Sequence, residues 1–214
     1  VRLFSYVVAR DYGFAPNPFY GICTLATCKP VIRRTAVISD WIVGTGSAER
    51  SRRGHLVFAM QVAEITTFDD YWRDPRFAAK KPIMSGSIKQ AFGDNIYHRE
   101  TEDGPWLQAN SHHSFADGTI NQANVTTDTG TRNVLIGSDF IYFGGAGPAI
   151  PARLRDFDDQ DLCQYGRGHK STFSPPFVEA VVDWLRSLDA TGYVGAPLEW
   201  SYMDRQQRRA RTAR

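Results

Sequence analysis

Short apolar blocks separated by turn residues recur along this chain, and only one stretch carries a long helical stripe. Residues 2–9 (RLFSYVVA) are dense in β-formers and predict a first strand. In 55–65 (HLVFAMQVAEI), Leu56, Phe58, Met60 and Val62 alternate with smaller or polar residues, the period of a half-buried strand. Trp41-Ile42-Val43 follows a polar turn at Ser39-Asp40 and is closed by Gly44 and Gly46, and residues 134–145 (VLIGSDFIYFGG) return to strand. The segment 23–36 (CTLATCKPVIRRTA) fits a strand better than a short helical turn around Pro30. Two helices are expected. In 66–77 (TTFDDYWRDPRF), Thr and Asp suit the cap, Phe68, Tyr71 and Trp72 fall at helical spacing, and Pro75 ends the run. In 174–189 (SPPFVEAVVDWLRSLD), Ser174 suits the cap and prolines suit the first turn. Phe177, Val181, Trp184, Leu185 and Leu188 then share one face.

Two segments lack such periods. Residues 11–21 (DYGFAPNPFYG) hold two prolines in three positions, which excludes helix and central strand and predicts an ordered, aromatic loop. Residues 78–133 are polar and turn-rich, as long irregular segments of functional importance often are. Alternating βαβ units are missing, which excludes a doubly wound sheet. The expected fold is α+β: a single, mostly-β domain over 1–200, built as a small, partly open barrel with peripheral helices and a long polar loop region. A basic, flexible tail is expected over 201–214.

Composition narrows the class. With 42% hydrophobic and 22% charged residues in 214, disorder, collagen and coiled coil are excluded. No apolar run approaches the roughly 20 residues that a membrane span needs, and the amino terminus lacks a secretory-signal pattern. Three cysteines are a poor disulfide framework. A cytoplasmic protein with no membrane partner is therefore expected. The formal charge of +2 hides an asymmetry. The last ten residues carry five arginines and no acid, so the rest holds 20 basic against 23 acidic residues, a net −3. Residues 1–60 hold eight basic side chains against three acidic ones, a local excess that suits an anionic ligand.

Candidate chemistry lies in the loops. Cys28-Lys29 sets a possible nucleophile beside a cation, although a buried thiol next to a surface lysine reads the same way. No second cysteine pair or histidine pair completes a zinc site, and no metal is assigned. His112 and His113 sit in the polar segment, where Asp94, Asp117 or Asp128 offers a carboxylate for a metal site or an acid–base pair, although side chains that stabilise a turn fit the pattern better. The glycine runs GTGS (44–47) and FGGAGP (143–148) match neither a Walker A loop nor a dinucleotide fingerprint. GDNIYH (93–98) supplies amide, carboxylate and phenol groups of the kind that read a base edge, or that close a turn. The basic pairs Arg33-Arg34 and Lys80-Lys81 suit phosphate contact or plain solvation.

Several of these pieces together resemble the nucleotide modification associated domain 2 family. They are YVVARDYGFAPNPFYGICTLATCKPVIRRTA, DWIVGTGS, LVFAMQVAEITTFDDYW, GDNIY, the HS of HHSF, and LIGSDFIYFGG, spanning about residues 3–189. Ser39-Asp40-Trp41 stands where that family usually has Gly-Asp-Trp. The resemblance implies a setting of DNA base modification and phage conflict rather than a particular reaction. A looser architectural resemblance is to PUA-like folds, including the EVE and YTH groups, and implies a nucleobase in an aromatic-lined pocket.

Three readings stand open. The first is recognition of a nucleotide or a modified base in nucleic acid, with Phe14, Asn17, Arg33, Arg34, Trp41, Asn95 and Tyr97 as ligand contacts. The second is an enzyme acting on a nucleotide or modified base through His113, Asp94, Lys29 and Cys28. The third is a non-catalytic scaffold. The sequence assigns no cofactor and no oligomeric state.

Overall fold

The computed structural model describes residues 1–203. In chain order its elements are β1 (Leu3–Val8), β2 (Cys23–Leu25), α1 (Pro30–Thr35), β3 (Trp41–Gly46), β4 (Leu56–Gln61), β5 (Glu64–Thr67), α2 (Phe68–Arg73) and α3 (Ile88–Ala91). Then come β6 (Tyr97–His98), β7 (Leu107–Gln108), α4 (Gln122–Asp128), β8 (Asn133–Gly137), β9 (Phe140–Tyr142), α5 (Pro175–Arg186) and β10 (Gly192–Tyr193). The architecture is α+β, and its sheets do not close into a barrel. The chain forms two compact units, one from residues 1–12, 40–60 and 140 onward, the other from 13–39 and 61–139. The tail expected over 201–214 lies, from residue 204, outside the described residues.

The first unit is built on a five-stranded sheet in the order β1-β3-β4-β9-β10. β1 and β3 run parallel from Leu3 opposite Trp41 to Val8 opposite Gly46, while β4 and β9 are antiparallel. Gly44 continues β3 instead of closing it. A Cβ there would lie 2.3 Å from the Phe58 ring, so only glycine lets β3 and β4 pack this closely. Asp40 opens β3 as an anchor: its Oδ1 accepts from the Arg2 amide at 2.8 Å and its Oδ2 from the Arg2 guanidinium at 2.8 Å. The stripe of α5 buries Phe177, Val181, Trp184 and Leu185 against Leu3, Trp41, Val43 and Leu56, with Leu188 at the margin. Ser174 takes the cap position, but its hydroxyl accepts from Gln160 rather than from the helix.

The second unit holds a three-stranded antiparallel sheet, β2-β8-β5. The segment 23–36 differs from expectation. Only Cys23–Leu25 pairs as strand, and Pro30 starts α1, because a fixed φ and a missing N–H suit a helical first position. The expected helix at 66–77 is α2, capped by Thr67 and continued as a tight 3₁₀ turn over Pro75–Lys80. The polar segment also contains α4, where Asn121 accepts from the Asn124 amide as cap.

The aromatic loop is held from within by Lys80. This buried ammonium donates to the Asn17 carbonyl at 3.0 Å, Asn17 Oδ1 at 2.7 Å and the Ile22 carbonyl at 2.9 Å. Asn17 also pairs with Thr24 through both backbone groups, and its amide nitrogen donates to the Phe92 carbonyl at 2.9 Å. Phe14 and Phe19 are buried, and Tyr20 is exposed.

Candidate functional site

Cys28 lies in the sharp connection from β2 to α1. It and Lys29 both adopt left-handed backbone, φ 57° and 43°, a conformation that costs non-glycine residues energy and concentrates at functional sites. The half-buried Cys28 Sγ stands 3.7 Å from Nε2 of His113. On the other side of that ring, Nδ1 is 2.9 Å from Asp128 Oδ2. An ionised carboxylate only accepts, so Nδ1 carries the proton toward Asp128 and Nε2 faces the sulfur.

Asp128 is buried at the end of α4 and saturated by donors. Its Oδ1 accepts from the Cys28 amide at 2.7 Å, and its Oδ2 also accepts from the Tyr97 hydroxyl at 2.9 Å. Gln108 Nε2 donates to the Tyr97 oxygen at 3.2 Å and to the His113 carbonyl at 3.3 Å, while Asn124 donates to that carbonyl at 2.8 Å. Ring and backbone of His113 are thereby fixed together. Burial alone would lower the His113 pKa. The bonds to Asp128 and Cys28, with the negative charge they supply, outweigh it and push His113 up to about 9. Burial pushes the Tyr97 phenol far up, and the Asp128 charge adds to this.

Arg33 anchors the turn from beneath. Its buried guanidinium donates to the carbonyls of Cys28 at 2.9 Å and Asn133 at 2.8 Å, and to the Asp128 carbonyl. Burial lowers its pKa to about 10, against the pull of Asp128. These donors face main-chain oxygens, so Arg33 supports the site instead of offering a phosphate contact. Burial also lowers the Lys29 pKa, with Cys28 opposing. Arg34 is exposed on α1. Phe14 packs on both histidines, with ring centroids 5.3 Å from His112 and 4.7 Å from His113.

The remaining sequence candidates lie elsewhere. Asp94 belongs to a second buried network, where it accepts from the Tyr71 hydroxyl at 2.8 Å and the Thr24 hydroxyl at 2.6 Å. Burial raises its pKa to about 6, against the Lys80 charge. Asn95 turns inward and donates to the Tyr71 carbonyl at 2.9 Å, and Asn17 serves the loop around Lys80. Trp41 is in the core of the first unit. Cys28, Lys29, Arg33, Tyr97, His113 and Phe14 thus gather around Asp128, while Asp94, Asn95, Asn17 and Trp41 do not. Asp128 was one of three interchangeable carboxylates in the sequence. The signal for it was the Asn121 cap, which places a short helix ending at residue 128. Among the described residues, no cluster of His, Cys, Asp or Glu could hold a metal ion, and no helix is long and apolar enough to cross a membrane.

The fold and this arrangement define a class: an α+β protein carrying a thiol, an imidazole and a carboxylate in series. The chain belongs to the nucleotide modification associated domain 2 family, whose family model matches residues 1–204. No curated protein and no solved structure matches the chain.

Proposed function

We propose that this protein is a thiol-dependent enzyme of a nucleotide-modification system, transferring or hydrolysing an acyl-type group on a nucleotide or modified base. The observation that carries this reading is the ordered series Cys28–His113–Asp128, with Cys28 on a strained strand-to-helix turn. Cys28 is the nucleophile, His113 the proton carrier and Asp128 its orienter. With its pKa raised to about 9, His113 holds the proton on Nε2 before the attack, and Sγ bonds to the electrophilic carbon as the anion paired with that imidazolium. The leaving group departs with that proton, giving a thioester. Water then attacks the thioester and loses a proton to Nε2, and Sγ departs as the anion, which restores the resting pair. A recognition module or scaffold has no need of these three groups in register. The phage-conflict setting and a PUA-like mode of base capture belong to the same proposal, supported by resemblance.

The test is alkylation of the native protein with iodoacetamide, followed by peptide mass spectrometry. Cys23 and Cys163 are buried, so native labelling reports Cys28. Cys28 is expected to label faster than a cysteine in the unfolded chain, and His113→Gln to slow it by roughly a hundredfold. Acylated nucleotides should leave a thioester on Cys28 detectable by intact mass. Ordinary labelling that ignores His113 sinks the proposal.

A further inference from the structure

His112 has no part in the proton relay, yet its position beside that relay is built. Phe14 meets its ring at 5.3 Å and an interplanar angle of 70°, and Phe92 meets it at 5.1 Å and 60°. Both phenylalanines are buried, whereas His112 is exposed. Its ring is 6.1 Å from that of His113, tilted by 31°, and His113 in turn reaches Cys28. An aromatic floor therefore carries a solvent-facing heteroaromatic residue at the edge of the reactive centre. Resting on the reading of Cys28 and His113 as that centre, we propose that His112 is the platform on which the aromatic heterocycle of the substrate, a nucleobase, stacks beside Cys28.

The physics of stacking and two observations support a nucleotide. Base–aromatic stacking needs a π-face and tolerates sequence, which suits an imidazole presented from a fixed floor. Partial burial, with the neighbouring His113, lowers the His112 pKa, so the ring stays neutral and keeps its π-face. Lys29, adjoining the nucleophile, and the exposed Arg34 on α1 give the same turn a cationic character that suits a nucleotide phosphate.

The experiment measures protection of Cys28 from iodoacetamide by adenosine 5′-monophosphate, thymidine 5′-monophosphate and ribose 5-phosphate. Either nucleotide is expected to slow labelling, and ribose 5-phosphate, which keeps the phosphate and lacks the base, to do so only at roughly tenfold higher concentration. His112→Ala, read as a ratio to its own ligand-free rate, should require roughly tenfold more nucleotide for half-protection. His112→Phe, which keeps an aromatic face, should retain protection. The proposal is overturned if neither nucleotide protects, if ribose 5-phosphate protects equally, or if His112→Ala is protected as well as the wild type. Slow, His113-independent labelling of the ligand-free protein counts against the thiol relay alone, because protection is read as a ratio at any basal rate.

Discussion

At the scale of single residues, the decisive feature is the sharing of Asp128 Oδ2 between His113 and Tyr97. The Tyr97 hydroxyl withdraws part of the carboxylate charge that would otherwise act on the imidazole. Tyr97→Phe removes this donor without adding bulk, so the His113 pKa should rise above its value of about 9. Asp128→Asn removes the charge and should lower it. Titration of the His113 ring protons by NMR checks both directions, and a fall in Tyr97→Phe contradicts the arrangement. His113 also links the site to stability. Its folded pKa exceeds the unfolded value, so its contribution is full below about pH 6.5 and is lost as pH rises through about 9.

At the scale of elements, α1 is too short to hold itself in place, since a six-residue helix makes few internal hydrogen bonds. Arg33 compensates by joining α1 to the connection between α4 and β8 through the carbonyls of Cys28, Asp128 and Asn133. Arg33→Met leaves these buried acceptors unpaired and should cost about 2–4 kcal/mol in urea denaturation, with altered Cys28 labelling. Sequence legibility divides along the same line. β1, β3 and β4 were legible as short runs of β-formers, buried on both faces, and α5 because its one buried face is written in apolar residues at helical spacing. α4 was not, since Val125 is its buried apolar residue and a cap with polar neighbours leaves little periodicity. α1 was misread because Val31 and Ile32 are β-formers, while the prior fixing of φ by Pro30 decided the outcome. Cys28, His113 and Tyr97 could be named from residue chemistry. His113 and Tyr97 reach Asp128 across 15 and 31 residues of chain, but Cys28 joins them through contacts across 85 and 100 residues.

At the scale of the whole molecule, the chain passes from one unit to the other four times. β1 and β3 pair in the first unit, although residues 13–39 between them belong to the second. Cys28 arrives on that insertion and His113 on the next, 61–139, so neither segment alone carries the relay. The second unit also buries Asp94, Lys80 and Tyr71, which gives the molecule a particular acid response. Burial raises the folded pKa of Asp94 to about 6, above its unfolded value of 3.8. Between these values the native state binds more protons than the unfolded state, so this group's contribution falls as pH rises through the window. Burial lowers the Lys80 pKa to about 8, so it remains charged there. Asp94→Asn should therefore gain stability relative to wild type between pH 4 and pH 7, by an amount on the order of 1–3 kcal/mol. Thermal unfolding of the two proteins across this range checks the sign.

The two oxygens of Asp128 touch different partners: one the Cys28 amide, the other the His113 ring. Nucleophile and base are therefore gauged against a common yardstick. A small drift of α4 carries sulfur and imidazole along together, and their separation survives motions that would uncouple two groups held by independent supports.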